Sequence, residues 1–407
     1  MARSADYKVL MYSHDTFGLG HLRRSRTIAH ALVDHFPEME VSIISGSPVV
    51  DAFWFHERVN YIQIPAAQKL SNGEYSSGSS SHSLEDTLAA RESIIRAAAE
   101  RLRPDMVIVD KEPLGLGREM LRTLRWLKAL GTIAVLGLRD VLDAPELLQG
   151  EWERKQNTAF TEEIYDEIWI YGPGSFYNPL SSIELDEATQ AQTRYTGFLA
   201  RSLPPMDDGT AGRYGTGYIL VTAGGGGDGY ELMAAALKAV KRRPDSTDRY
   251  LFVLGPFMTE QQRFEITARA SSLANVEVVD FHVNVETLVA NAAAIVGMCG
   301  YNTFCEVMSF DKRALFVPRT APRREQSIRA HRAAEFGWVD VLDIEEAKDP
   351  SKFMAAIDRL ERNPLPSGAV ARPDLDGLSR VCALTEILFE QRDERMAVDD
   401  LPEAAGQ

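Results

Sequence analysis

The sequence predicts an α/β protein made of two doubly wound domains that face each other across a cleft. Three observations carry that expectation. The chain has 407 residues, beyond the usual size of one domain. Short apolar runs alternate with amphipathic segments along most of its length, the pattern of parallel strands joined by crossover helices. A strand, a Gly-rich loop and a helix also follow one another twice, over 7–33 and again over 218–240, on either side of a polar stretch.

Composition narrows the function classes. Hydrophobic residues make up 45% of the chain, enough for sizeable cores, and the net charge is −15. That balance disfavours nucleic acid and anionic membrane as partners, although local basic clusters could hold phosphates. Cys299, Cys305 and Cys382 have neither zinc spacing nor the density of a disulfide framework. The first residues lack a signal-peptide core and no run approaches transmembrane length. The expected home is the cytoplasm, with any membrane association peripheral and at its inner face.

In order, residues 7–13 (YKVLMYS) read as the first parallel strand, followed by the loop HDTFGLGH and a helix over 22–33. The loop matches the beginning of a dinucleotide fingerprint, but Arg23 stands where the third Gly belongs. The second strand, 41–45, then runs into Ser-Gly-Ser with no acid for a cofactor ribose. Both count against a nicotinamide site. A short helix is expected over 49–55 and a third strand over 59–64. Residues 70–83 (LSNGEYSSGSSSHS) lack a hydrophobic period and read as a mobile loop. A helix over 84–102, a strand over 106–109 ending at Asp110, a helix over 121–130, a strand over 132–138 and a strand over 167–171 complete a first domain, 1–203.

The polar, Gly- and Pro-containing run 204–217 reads as the linker. In the second domain, 218–376, strands are expected over 218–222, 250–254, 276–280, 293–296, 314–317 and 339–342. Helices are expected over 230–240, 260–270, 285–291, 301–309 and 352–360, with another opening at Glu325. A last amphipathic helix lies within 377–393, and 394–407 is an acidic, frayed tail.

Most of the chemistry lies in 292–332. A strand, the turn Gly297-Met298-Cys299-Gly300 and a helix make an anion site, because helix N-terminal amides are unpaired and carry partial positive charge. Gly300, Tyr301, Asn302 and Thr303 are the expected phosphate contacts. Gly224, Gly225, Gly226 and Gly227, with Gly20 in the first loop, let backbone approach the same ligand. No Lys-Ser or Lys-Thr follows, so this is not a Walker loop. Glu306 sits on an otherwise apolar helix. It cannot serve a phosphate, but it suits the diol of a ribose through charge-assisted bonds of about 1.5–3 kcal/mol each; the plainer alternative is a salt bridge to Lys312 or Arg313. Glu325 and Gln326 could accept from and donate to sugar hydroxyls, or simply open a helix. Phosphate, ribose and sugar sites in one short segment describe a nucleotide sugar.

His21 closes the first Gly loop at a helix start, where the dipole favours a neutral imidazole suited to general-base work. His14 and Asp15 are the alternatives, and a capping role is the plainer one. Arg23 and Arg24 are candidate anion contacts, though adjacent arginines on a first turn are more often solvated. Arg319, Arg323 and Arg324 make the loop before Glu325 positive and could neutralise a leaving diphosphate without a metal. Asp374-Leu375-Asp376 reads as a helix start rather than a metal motif, and Phe53, Trp54 and Phe55 as core.

These motifs resemble the donor-binding signature of MurG-like glycosyltransferases, the family 28 C-terminal type with the GT-B fold of two Rossmann-like domains. The resemblance covers the C-terminal half. In the N-terminal half it rests on the first Gly loop, where the family's Gly-Gly-His is Gly-Leu-Gly-His. It implies that Glu306 holds the donor ribose, that Glu325 and Gln326 hold the donor sugar, and that Phe281, His282 and Val283 lie where backbone reads the base. It further implies His21 as base and a final helix that crosses back onto the first domain. The implied reaction moves a hexosyl group, most simply N-acetylhexosaminyl, from a UDP-sugar to an acceptor hydroxyl by inverting direct displacement, with no metal or other cofactor. The acceptor is left open among a glycan, a lipid-linked glycan and a small molecule. A nucleotide-sugar 2-epimerase and a non-catalytic nucleotide-sugar-binding protein are the alternatives.

Overall fold

The computed structural model describes residues 6–14, 19–69, 75–77, 83–205, 209–244 and 246–399. Among these, the N-terminal strands are β1 (Lys8–Ser13), β2 (Glu40–Ser45), β3 (Val59–Gln63), β4 (Ala67–Lys69), β5 (Tyr75–Ser77), β6 (Met106–Asp110), β7 (Ile133–Arg139), β8 (Glu167–Tyr171) and β9 (Thr193–Tyr195). The C-terminal strands are β10 (Ile219–Thr222), β11 (Tyr250–Val253), β12 (Val276–Val279), β13 (Ala294–Gly297), β14 (Arg313–Phe316) and β15 (Asp340–Val341). All but β4 and β5 form two parallel sheets, ordered β3-β2-β1-β6-β7-β8-β9 and β12-β11-β10-β13-β14-β15. Helices cover both faces, which is why β1, β6, β7 and β13 read as nearly unbroken apolar runs.

Several segments differ from expectation. Part of 70–83 is strand: β5 pairs antiparallel with β4 as a small hairpin, and 70–74 and 78–82 lie outside the described residues. Two helices, Pro145–Lys155 and Asn157–Ile164, fill a stretch with no expected element; Gln156, at φ 55°, breaks one from the other. Helix Glu187–Ala191 and the edge strand β9 are further additions. The last helix, Gly377–Asp399, continues into the expected tail.

That helix lies on the N-terminal domain. Phe389 stacks on Tyr7 with ring centroids 3.9 Å apart, and Arg392 Nη1 donates to Asp105 Oδ1 at 2.7 Å. The two domains also share one apolar cluster, in which Phe176 and Phe198 meet Phe304 and Trp338. Phe176 and Trp338 stack at 5.6 Å and 7°. Such aromatic pairs add about 0.5–1.5 kcal/mol each beyond area burial, so the domains are packed against each other and not merely tethered.

Candidate active site

Open α/β sheets bind ligands beyond the carboxyl ends of the strands, where the strand order reverses. In the N-terminal sheet that point lies between β1 and β6, framed by His14 and by Asp110-Lys111. In the C-terminal sheet it lies between β10 and β13, framed by Gly224-Gly225 and by the turn ending at Gly300. The two crevices face each other. Gly20 and Arg23 line the same narrow cleft, about 100 Å³, as Gly224, Gly225, Gly300 and Thr303. Each crevice carries one non-glycine residue in the left-handed region, Lys111 at φ 72° and Cys299 at φ 63°. Such strain is of order 1–3 kcal/mol and gathers at functional sites. Two larger cavities, about 610 and 480 Å³, lie elsewhere; His21 and Asp110 line neither of them, and they are not among the residues lining the narrow cleft.

On the N-terminal side, His21 Nδ1 lies 2.6 Å from Asp110 Oδ2. A carboxylate at that distance can only accept, so the proton is on Nδ1 and the Nε2 lone pair is free to act as a base. Burial lowers the imidazole pKa to about 4; Asp110 opposes the shift, while Arg24 and Lys111 reinforce it. Burial would raise the Asp110 carboxyl, but Arg24 and His21 hold it well below the usual carboxylate range. Arg24 corrects an expectation. It is no anion contact, because it is buried and donates to both Asp110 oxygens at 2.7 Å. Asp110 is the site residue that sequence reasoning missed. Its signal was an acid ending a buried strand, but only the β1–β6 pairing brings it to a His 89 residues away. His14 is buried beside this pair, its ring 5.4 Å from that of His21. Asp15 lies outside the described residues.

On the C-terminal side, helix Tyr301–Ser309 starts at Gly300 with no side-chain cap. A Cβ added at Gly300 would meet nothing within 4 Å, so the first amides of the helix face open cleft. The side chains beside them serve the domain contact. Asn302 Nδ2 donates to Gly20 O at 3.2 Å, and the Tyr301 hydroxyl accepts from Leu199 N at 3.3 Å. Phe281, His282 and Val283 line the cleft as well, and His282 Nε2 lies 3.0 Å from Thr210 Oγ1. The four-glycine loop is divided in use. Gly224 and Gly225 reach the cleft, whereas Gly226 is at φ 87° and a Cβ there would lie 2.2 Å from Leu254 O. Gly226 therefore serves loop packing, a correction to its expected ligand role, and Gly227 is not among the cleft-lining residues.

The expected ribose and sugar ligands are not on the cleft wall. Glu306 is fully buried, and its Oε1 accepts from Arg23 Nη2 at 2.5 Å. Arg23 also donates to Glu286 at 2.7 Å. The partner of Glu306 is thus neither Lys312 nor Arg313 but an arginine from the other domain. Burial raises the Glu306 carboxyl above its ordinary range, with Glu286 adding to the shift and Arg23 opposing it, and Oε2 has no hydrogen-bond partner. Glu325 is buried and held by Arg319 at 2.7 Å. The Gln326 amide donates to Met298 O at 2.9 Å and accepts from Arg319 Nε at 3.2 Å. Arg319 also pairs with Asp228 at 2.6 Å, Arg323 with Glu151 at 3.0 Å, and the exposed Arg324 with Glu146 at 3.5 Å. Each arginine of the basic loop is therefore matched by an acid. Asp374 pairs with Arg380 at the start of the last helix.

The sequence profile of the glycosyltransferase family 28 C-terminal domain matches residues 218–372. No curated protein matches the chain. Among solved structures, the chain is similar to UDP-GlcNAc 2-epimerase from Methanocaldococcus jannaschii, with 12% identity over 94% of this chain and 99% of that one and a TM-score of 0.61. It is similar to the glycotransferase of kitacinnamycin, with 14% identity over 97% and 99% and a TM-score of 0.60. It is also similar to MurG of Acinetobacter baumannii, with 13% identity over 94% and 99% and a TM-score of 0.52. At these identities the likeness shows the fold, which is GT-B: two Rossmann-like domains with the family 28 domain as the second.

Proposed function

We propose, from the family 28 identity of its C-terminal domain, that this protein transfers a glycosyl group from a nucleoside diphosphate sugar to an acceptor hydroxyl. The observation that carries the reading is the pairing of His21 Nδ1 with Asp110, directly after Gly20, which lines one cleft with the uncapped amides that follow Gly300. The amides suit a diphosphate. The imidazole Nε2 suits the proton of an attacking hydroxyl. In the reaction, the acceptor oxygen forms a bond to the anomeric carbon as its proton passes to Nε2. The bond from that carbon to the diphosphate breaks, and the leaving nucleotide takes the electron pair. Attack opposite the leaving group inverts the configuration. We assign the donor as a UDP-linked N-acetylhexosamine and include no metal or other cofactor in the proposal. No helix among the described residues is long and apolar enough to cross a membrane.

Glu306 enters this scheme only if Arg23 withdraws, so the ribose is proposed to replace Arg23 as its partner. The scheme is tested by calorimetry against UDP, GDP, dTDP and their sugars, followed by transfer assays on the donor that binds. Failure of every nucleotide to bind would end it. The carboxylates Glu112 and Glu151, close to Lys111 and Lys155, favour one alternative, a 2-epimerase, which needs acid–base groups at the sugar. Incubating the donor alone separates the two, because only an epimerase isomerises it without an acceptor.

A further inference from the structure

We infer that the cavity of about 480 Å³ between helix Gly20–His35 and residues 200–205 is a second small-molecule site, that it takes an uncharged aromatic ligand bearing an acceptor oxygen, and that this ligand opposes nucleotide binding. The effect on the nucleotide rests on the transferase reading; the site itself does not.

The walls come from distant parts of the chain. Helix Gly20–His35 supplies one, residues 200–205 another and Glu286 of the C-terminal domain a third, while Leu378 belongs to the last helix. The volume lies in the range of small-molecule sites, which favour domain interfaces. Much of the lining is apolar. Trp54 and Leu203 both line the cavity and stay 50% and 53% exposed, so two large apolar side chains are left half uncovered at one place. The His30 ring meets Trp54 edge-on, with centroids 5.1 Å apart. Burial lowers the His30 pKa to about 4, so this ring is neutral at pH 7. Such walls suit a flat aromatic ring.

The polar groups among them call for an oxygen. Arg26 and Arg201 line the cavity, and the Nε of each is buried without a hydrogen-bond partner among the described residues. Their other nitrogens are engaged: Arg26 Nη1 donates to Trp54 O at 3.1 Å, and Arg201 donates to Thr27 Oγ1 and, at 2.6 Å, to Asn302 Oδ1. A buried donor left unmet is costly, and an acceptor oxygen on a ligand satisfies it. Asp34 and Glu286 line the same cavity. The charges of the walls therefore balance, and the ligand need carry none.

Two contacts run from this cavity to the cleft. Glu286 lines the cavity and accepts from Arg23, which lines the cleft. Arg201 bridges Thr27 of the cavity to Asn302 of the cleft. The cleft measures only about 100 Å³ in the arrangement that forms the cavity, so a nucleotide requires the domains to part. A ligand that touches both domains in the cavity holds them together. Each ligand thus disfavours the arrangement the other needs, and the coupling is negative and reciprocal.

The test is fluorescence titration of the full chain with dansylamide, a neutral bicyclic aromatic with two sulfonamide oxygens whose emission rises in apolar surroundings. The wild type should bind it, and bind the anionic dansyl sulfonate less tightly. Arg26→Met and Trp54→Ala should each weaken dansylamide roughly tenfold or more while leaving nucleotide affinity at the wild-type level, which separates this cavity from the cleft. Saturating UDP, GDP or dTDP, whichever binds, should raise the dansylamide Kd roughly fivefold or more, and dansylamide should raise the nucleotide Kd by the same factor. No binding of dansylamide, equal binding by all three proteins, or tighter binding of the sulfonate would overturn the site. Independent or mutually favourable binding of dansylamide and nucleotide would overturn the coupling. If no nucleotide binds while dansylamide still depends on Arg26 and Trp54, the transferase reading falls and the second site stands.

Discussion

His21 is kept neutral by burial while Asp110 fixes the proton on Nδ1, and the two effects can be measured separately. His21→Ala should lower turnover roughly 10²–10⁴-fold and leave nucleotide affinity near wild type; undiminished turnover would remove His21 from the chemistry. Asp110→Asn should cause a loss of similar order with a folded protein, because the amide no longer enforces the tautomer. With the His21 pKa at about 4, kcat/KM should be flat through neutrality and fall only near that value on the acid side. Stability follows the same shift. The folded imidazole titrates below its unfolded value, so the unfolded state binds more protons between about pH 6.5 and 4. The His21 contribution is complete above that window and declines as pH falls through it, by on the order of 3 kcal/mol. His21→Gln should flatten that part of the stability profile. Without Asp110, Nδ1 could lose its proton and the same ring would be a poorer base, a consequence of a contact between residues far apart in sequence.

Strands and helices were legible where periodicity is strong. Helices Leu84–Leu102, Tyr230–Val240, Glu260–Ala270, Val285–Asn291 and Tyr301–Ser309 occupy the segments expected of them, since each buries a stripe or is apolar throughout. Helix Pro145–Lys155 was not legible; like Glu260–Ala270 it buries only two residues (Leu148 and Trp152, where the other has Ile266 and Ala270), but it lacks the Thr259–Gln262 capping box that marks the start of the other. The glycine loop after β10 was legible as a loop but not in its division of labour. Gly226 is required by the approach of Leu254 O, a contact that depends on the β10–β11 pairing. Gly226→Ala should therefore destabilise the C-terminal domain by roughly 2–4 kcal/mol, measured by urea denaturation. Gly300→Ala, which meets open space, should spare stability and weaken nucleotide binding. Equal melting of both variants would contradict this division.

At the scale of the molecule, the domains are joined by buried ion pairs, and the cleft between them is small. Arg329 binds Asp140 through two bonds at 2.8 and 2.6 Å and also donates to Cys299 O at 2.9 Å. Arg329→Met leaves Asp140 buried and unmatched and should cost about 3–5 kcal/mol; pairing it with Asp140→Leu should recover much of that loss. Small-molecule pockets span about 300–1,000 Å³, so a nucleotide sugar requires this 100 Å³ cleft to widen. The Arg23 contact with Glu306 lies where that widening must begin. Glu306→Gln should raise the donor KM roughly tenfold or more if the ribose takes over from Arg23. An unchanged KM would leave Glu306 a domain contact only.

The sequence by itself determined the two alternating halves and the glycine turn that opens the helix at Tyr301, because hydrophobic period and small-residue turns are local properties. It also marked His21 and Glu306 as residues in unusual settings. Only the tertiary structure decided their partners: Asp110 for one and Arg23 for the other. Ion pairs inside a protein are chosen by which strands lie side by side and which domain faces which, and neither is written in the spacing of residues along the chain.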